Sequence, residues 1–110
     1  MATVSKILSN TGRGIKPAAA TPTILYAVPV NKQAQCRLLI SNQGGINDAV
    51  RVAITPSGGT LAATDYIMYD TMIPAIGIIR DNFELNAGDF VTVQSAQGNC
   101  SFILTGLEVS

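Results

Sequence analysis

The stretch ELNAGDFVTVQS, residues 84–95, contains the pattern that decides the fold. A strand-like run ends at Leu85, and the small and polar residues at 86–89 fit a tight turn. The next run carries Val91 and Val93 two positions apart, so the two side chains share one face of a strand. The same unit, a short strand closed by a turn, recurs along most of the chain.

Seven strand-like runs separated by turn residues follow one another from residue 23, a spacing typical of an all-β sandwich or barrel. They cover residues 23–28, 33–41, 49–55, 65–72, 76–85, 90–95 and 100–109. No segment combines ten residues of helical periodicity with strong helix formers. The sequence therefore predicts an antiparallel β-sandwich, jelly-roll-like, of about seven to eight strands.

The alternation also predicts which side chains fill the core. Inward-facing residues are expected at Cys36, Leu38, Ile40, Val50, Val52, Ile54, Cys100, Phe102 and Leu104. Arg51 and Ala53 are expected on the solvent side of their strand.

Residues 1–22 lack this alternation and contain Gly12, Gly14, Pro17 and Pro22. Such a segment is typical of an extended lead-in, so we divide the chain into an N-terminal arm, 1–22, and a sandwich domain, 23–110. The arm is expected to contribute nothing to the core and to contact a partner.

The arm and the domain differ in charge. The chain has no net charge, but residues 1–22 hold three basic side chains and no acid, so the rest of the chain carries −3. Attraction between the arm and an acidic neighbour is therefore expected. Three charges over this length are too few for a nucleic-acid-binding tail.

The surface is expected to be unusually apolar. Hydrophobic residues make up 47% of the chain and charged residues only 13%, against roughly 25% charged in typical soluble domains. The runs at 76–85 and 100–109 are apolar on both faces, which predicts that a subunit interface covers the second face. The partner-binding residues predicted from the arm and the last run are Lys6, Ile7, Leu8, Arg13, Ile15, Lys16, Ile103, Leu107 and Val109.

The sequence predicts neither a membrane span nor an export signal. The longest apolar run, 72–79, is interrupted by Pro74 and Gly77 and is far shorter than the roughly 20 residues that a spanning helix needs. The first ten residues contain no apolar stretch of signal-peptide length. We therefore expect synthesis in a cytoplasm.

Residues for catalysis are scarce. The chain has no histidine, the usual acid–base group near neutral pH and the usual base for a catalytic thiol. Cys36 and Cys100 both lie in strand-like runs, where a buried thiol is favoured and a disulfide remains the alternative. We expect no enzyme activity, cofactor, metal or small-molecule substrate.

The turn residues suggest no ligand either. Gly58-Gly59 lacks the lysine and the following helix of a phosphate-binding loop. The aspartates, including Asp65 and Asp70, are expected to be ordinary strand-end or turn residues, with no clustered calcium-loop motif. Basic residues interleaved with aromatics, as in single-stranded nucleic-acid binders, do not occur.

Three stretches of the chain resemble a known group of proteins. They are TILYAVPVNKQAQCRLLISNQG at 23–44, VRVAITPSGGTLAATDYIMYDTMIP at 50–74 and LNAGDFVTVQSAQGNCSFILTGLEV at 85–109. Together they are similar to the small β-sandwich accessory virion proteins of tailed bacteriophages, found as head decoration (cement) proteins or as tail and neck components. The stretch LNAGDFV also resembles turns in trimeric jelly rolls of the complement and tumour necrosis factor type.

The resemblance implies a virion structural protein, assembled in the bacterial host cytoplasm and located on the capsid surface or tail. It implies a homotrimer or another oligomer, with the arm lying across the major capsid protein or another virion protein. The alternative is a tail, neck or fibre component, with a receptor- or glycan-binding tip formed by loops 42–48 and 56–60. Neither hypothesis includes binding to nucleic acid or to a membrane.

Overall fold

The structure, a computed structural model, describes residues 3–8 and 13–109, with only the backbone described for residues 3–7. It contains eight strands and one short 3-10 turn, Ala63–Asp65. The strands are β1 Thr3–Ile7, β2 Thr23–Ala27, β3 Gln33–Asn42, β4 Asp48–Thr55, β5 Tyr66–Ile73, β6 Ile78–Leu85, β7 Phe90–Ser95 and β8 Cys100–Val109. β2 to β8 correspond to the seven predicted runs.

The strands form two antiparallel four-stranded sheets. The first sheet has the order β1-β8-β3-β6 and the second β2-β7-β4-β5. Every connection except that from β4 to β5 crosses between the two sheets, as in an eight-stranded jelly roll. The prediction of an all-β, jelly-roll-like sandwich is thereby confirmed. Within the described residues, no helix has the length and apolar character needed to cross a membrane.

The core lies between the two sheets and follows the predicted alternation closely. Leu38, Ile40, Val50, Phe102 and Leu104 are fully buried. Burying a side chain of this size contributes roughly 2 kcal/mol. The inner faces of β3, β4 and β8 therefore account for much of the stability of the sandwich.

Part of the predicted arm belongs to the sandwich. β1 pairs antiparallel with β8 from Thr3↔Val109 to Ile7↔Thr105, and Leu8 donates its N–H to Leu104 O at 2.7 Å. The Leu8 side chain is only 3% exposed and joins the core, so the expectation that residues 1–22 contribute no core is wrong at Leu8. The apolar residues of the run TVSKI, Val4 and Ile7, are three positions apart and show no alternation, but the strand satisfies the open hydrogen-bonding edge of β8.

The chain returns to β8 after residues 9–12, which lie outside the described residues. Ile15 and Phe102 exchange two backbone hydrogen bonds, with N···O distances of 2.8 and 2.7 Å. The Ile15 side chain packs partly buried against the core. The described part of the arm thus follows the β8 edge of the first sheet.

β5 departs from a regular strand. Its register with β4 shifts twice, between Val50 and Val52 and again between Val52 and Ala53. Asp70 adopts a positive φ of 51°, a conformation that a residue other than glycine adopts rarely. Ala53, which pairs with Tyr66, is fully buried although it was predicted on the solvent side.

Candidate functional site

The outer face of the first sheet brings three of the predicted contact residues together. Leu39 pairs with Ile103, Gln35 with Leu107 and Gln33 with Val109. The four apolar side chains, Leu39, Ile103, Leu107 and Val109, are half-buried. They form an apolar strip on the outer face that is interrupted where Arg37 pairs with Thr105. Ile78, at one end of the neighbouring β6, extends this surface and is 60% exposed.

The remaining predicted contact residues are placed differently. Arg13 and Lys16 are exposed beside β8, whereas Leu8 and Ile15 pack towards the core of their own chain. Lys6 and Ile7 pair through their backbone with Gly106 and Thr105.

Two arginines that the sequence did not single out also lie on this outer face. In the register of β3 and β6, Leu39 is opposite Arg80 and Arg37 is opposite Asn82, so Arg37 and Arg80 are diagonal neighbours. Both are exposed. They line a shallow depression with Leu39, Asp81, Asn82, Ile103 and Thr105. Their adjacency depends on strand register, which no local sequence pattern specifies.

The outer face of the second sheet carries a polar and aromatic cluster. Arg51 donates to Asp70 twice, from Nε to Oδ1 at 2.6 Å and from Nη2 to Oδ2 at 3.1 Å. The guanidinium carbon lies 4.1 Å from the centroid of the Tyr69 ring, and the rings of Tyr69 and Tyr66 meet edge-on with centroids 5.0 Å apart. The hydrogen bonds from Arg51 hold the pKa of Asp70 below its usual value.

This cluster is accompanied by exposed apolar side chains. Ile24, Tyr69 and Met72 are 50%, 58% and 55% exposed. Ile24 lies on β2 and the other two lie on β5, so these side chains are at opposite edges of the second sheet. They face away from the apolar strip of the first sheet, because the two sheets pack through their inner faces. The sequence treated Asp70 as an ordinary strand-end carboxylate and so missed this cluster, which the irregularity of β5 creates.

Asp48 lies at the end of the sandwich that carries the turn between β7 and β8. Its carboxylate accepts hydrogen bonds from the Ser95 hydroxyl, from Gln97 N at 2.9 Å and from Asn99 N at 3.2 Å. Burial acts to raise the pKa of Asp48, but these hydrogen bonds outweigh it and hold the pKa below its usual value.

Loop 42–48, one of the two loops predicted for a glycan-binding tip, has both ends engaged inside the protein. Asn42 is buried and its side-chain amide donates to Ile46 O at 2.8 Å and Ile73 O at 3.1 Å. Asp48, at the other end, is also buried and bonded. Loop 56–60 is exposed.

At the end of the sandwich opposite Asp48, a second buried polar contact joins the two sheets. The Tyr26 hydroxyl donates to the Glu108 carboxylate, and Lys32 Nζ lies 4.0 Å from the other carboxylate oxygen. Burial, with Glu108 as a further cause, raises the pKa of Tyr26 and also raises that of Cys36 to about 12. Both groups are therefore neutral at ordinary pH.

No group of three or more His, Cys, Asp or Glu side chains placed to hold a metal occurs among the described residues. Cys36 and Cys100 are both buried free thiols. The alternative of a disulfide between them is thus not realised.

Comparison with known proteins identifies no family for this chain. No family model matches the chain, and no curated protein matches it either. Among solved structures, the chain is similar to the K3 cleaved adhesin domain of Lys-gingipain from Porphyromonas gingivalis, with 10% sequence identity and a TM-score of 0.46. That alignment covers 98% of this chain and 73% of the other.

Proposed function

We propose that this protein is a structural subunit of a bacteriophage virion. In this proposal it is a capsid decoration (cement) protein that assembles as a homotrimer and binds the assembled shell through its β-sandwich and N-terminal segment. The observation that carries the proposal is that both outer faces of the sandwich present apolar side chains to solvent, half-buried Ile103, Leu107 and Val109 on the first sheet and exposed Ile24, Tyr69 and Met72 on the second. A subunit that contacts both sister copies and a lattice needs two such surfaces.

Further support comes from the topology and the sequence. Jelly rolls are common in viral capsid proteins, although the same fold also serves lectins and cupins. The stretches at 23–44, 50–74 and 85–109 resemble phage accessory virion proteins. Exposed apolar surface of this kind is characteristic of proteins that work in contact with others.

The proposed subunit acts by mass action. It binds the assembled lattice and not the dispersed shell protein, so each bound copy stabilises the assembled state. Binding across neighbouring shell proteins would raise the temperature at which capsids open.

The test uses phage particles that lack this subunit. We expect them to release DNA at a lower temperature than complete particles, and we expect added purified protein to restore the higher temperature. Light scattering of the purified protein should give three times the mass of one chain. Equal heat stability of the two kinds of particle, with no binding of added protein, would contradict the proposal.

A location on the tail or neck is the second candidate. The exposed cluster of Arg51, Asp70, Tyr66 and Tyr69 favours it, because an aromatic surface beside an oriented ion pair suits recognition of a receptor or glycan. Mass spectrometry of separated heads and tails distinguishes the two locations. Recovery only in the tail fraction would replace the decoration proposal.

A further inference from the structure

The edge strands of the two sheets differ in how well they could pair with a further strand. β1 and β2 are only five residues long, and the register of β2 with β7 shifts between Ile24 and Tyr26. β5 carries two register shifts and the positive φ of Asp70. Short strands and bulges hinder pairing with another chain. β6, by contrast, is eight residues long and pairs with β3 in an unbroken register, so among the described strands it offers the most regular open edge.

The hydrogen-bonding pattern shows which backbone groups of β6 face this open edge. Asn42 donates its N–H to Gly77 O at 2.9 Å, which continues the register in which Ser41 lies opposite Ile78. Hydrogen-bonded pairs alternate along an antiparallel ladder, so the odd-numbered residues of β6 bond to β3. The N–H and C=O groups of the even-numbered residues, from Ile78 to Glu84, therefore point away from the sheet.

The same even-numbered residues carry a self-complementary pair of charges on the outer face. Arg80 and Glu84 are exposed and lie two positions before and after Asn82. Neither forms an ion pair with any residue that the structure describes. An antiparallel copy of β6 presents the two charges in the reverse order. With a two-fold axis at Asn82, each Arg80 therefore lies directly opposite Glu84 of the second copy.

The charges favour this register over its neighbours. Even-numbered residues must pair with even-numbered ones for the free backbone groups to meet. An axis at Arg80, Asp81 or Glu84 would place that charged residue opposite itself, which is unfavourable. An axis at Phe83 would lose both ion pairs and shorten the paired segment. The axis at Asn82 pairs residues 79–85 of the two copies, nearly the whole strand.

We infer that the open edge of β6 pairs antiparallel with β6 of a second copy of this chain, so that the two first sheets join into one continuous sheet. The contact is two-fold symmetric, as in most dimers of identical chains. At its centre, Asn82 exchanges two backbone hydrogen bonds with Asn82 of the second copy, and an Arg80–Glu84 pair lies on each side. The pairing is independent of the proposed function.

Asp81 keeps this contact weak and selective. Its Oδ1 accepts the N–H of Asn82 at 2.9 Å, the donor at the centre of the paired segment. Pairing replaces this hydrogen bond with one to the second copy and returns the carboxylate to water. Charged side chains at a sheet edge suppress non-specific pairing. We therefore expect the association to be reversible and to become populated only as the protein concentration rises.

The experiment measures the mass of the purified protein by light scattering in a dilution series from millimolar to micromolar concentration. We expect the mass at high concentration to be twice that at low concentration, whether the smaller species is one chain or the proposed trimer. The test variant is Arg80→Glu, which replaces both ion pairs with like charges. The matched control is Gln43→Glu with Asn47→Asp, which changes the net charge equally in the exposed loop between β3 and β4.

Arg80→Glu should weaken the doubling at least about tenfold, and the control should change it by less than about threefold. Arg80→Glu with Glu84→Arg restores opposite charges across the axis, so its association should return to within about threefold of wild type. Circular dichroism melting checks that each variant is folded. Glu84→Arg creates equivalent like-charge contacts and replaces Arg80→Glu if that variant does not fold.

Asn82→Pro tests the backbone contact separately from the charges. Proline is tolerated on an edge strand where the missing N–H faces solvent, and the N–H of Asn82 points away from β3. We therefore expect this variant to remain folded and to show no doubling of mass at any concentration in the series.

Each other outcome contradicts the pairing. A wild-type mass that stays constant up to millimolar concentration would overturn the inference and leave the proposed function standing. Doubling that persists unchanged in Arg80→Glu and Asn82→Pro would place the contact elsewhere on the molecule and also overturn it. Loss of doubling in Arg80→Glu without recovery in the charge-swapped variant would refute the axis at Asn82. All of these measurements use the isolated protein, so their results are separate from those of the capsid experiment.

Discussion

Asp48, the first residue of β4, accepts a hydrogen bond from the hydroxyl of Ser95, the last residue of β7. Both side chains are buried between the sheets. The same carboxylate accepts the backbone N–H groups of Gln97 and Asn99 in the turn that leads to β8. One side chain of the second sheet therefore fixes the connection by which the chain crosses to the first sheet.

The first prediction follows from this role. Asp48→Asn keeps the shape of the side chain but replaces an acceptor oxygen with a donor, which leaves buried groups unpaired. We expect the free energy of unfolding to fall by about 2–3 kcal/mol, measured by urea denaturation at pH 7. Asp65→Asn, in the exposed turn before β5, is the control and should change it by less than about 1 kcal/mol. Equal effects of the two substitutions would contradict the role given to Asp48.

The second prediction concerns pH. Hydrogen bonding holds the pKa of Asp48 in the folded protein below its usual value of 3.8. The contribution of Asp48 to stability is therefore complete above about pH 4 and is lost as the pH falls through the folded pKa. Denaturation curves from pH 7 downwards should show the wild type and Asp48→Asn converging in acid. A constant difference across that range would be inconsistent with a depressed pKa.

The third prediction concerns the close pairing of β3 with β8. Gly106 has a φ of 153°, and a Cβ at this position would lie 1.9 Å from Gln35 O. Backbone would have to shift to accept it, so Gly106→Ala should reduce stability by about 3 kcal/mol or more. Gly45→Ala, where a Cβ meets nothing within 4 Å, is the matched control. Thermal melting of both variants tests this, and similar melting temperatures would refute the predicted clash.

The fourth prediction concerns the thiols. Cys36 pairs with Gly106 and Cys100 pairs with Asn42, six positions apart in the same register, which separates them by about 20 Å. A disulfide requires Cα atoms within roughly 7 Å. Burial raises both pKa values to about 12, with Glu108 adding to the effect at Cys36 and Asp48 at Cys100. A thiol reagent at pH 8 should label neither cysteine in the folded protein and both after denaturation; rapid labelling of the folded protein would be the contrary result.

The fifth prediction tests the docking of the N-terminal segment. Leu8 is buried in the core, so Leu8→Ala should lower the free energy of unfolding by about 2–4 kcal/mol. Leu61→Ala, at a position 36% exposed in the loop before β5, should change it by less than about 1 kcal/mol. A small effect at both positions would show that this segment does not pack on the sandwich in solution.

Much of the fold was predictable because strand alternation is a local property. Spacing alone predicts which face of the sheet is occupied by the apolar residues Val91, Val93 and Phe102. Glycine-rich turns mark the strand ends. β1 was missed because its two apolar residues, Val4 and Ile7, are three positions apart and therefore show no period of two. The bulges of β5 were missed because Asp70, which takes the positive φ there, also fits an ordinary strand end.

The candidate site was less predictable, for a different reason. The apolar strip at Ile103, Leu107 and Val109 could be anticipated, since it follows from one strand. The neighbours Arg37 and Arg80 lie 43 positions apart in the sequence and meet only through the register of β3 with β6. When two side chains come together only through long-range strand pairing, no local sequence pattern predicts that they are neighbours.

The pairing of β1 with β8 has a consequence for how the chain is made. Among the eight described strands, β1 is translated first and β8, beside which it lies, is translated last. A contact of such long sequence separation forms slowly, because the whole intervening chain must be brought together first. During translation β1 therefore remains unpaired, and this edge of the first sheet forms only after β8 has emerged from the ribosome.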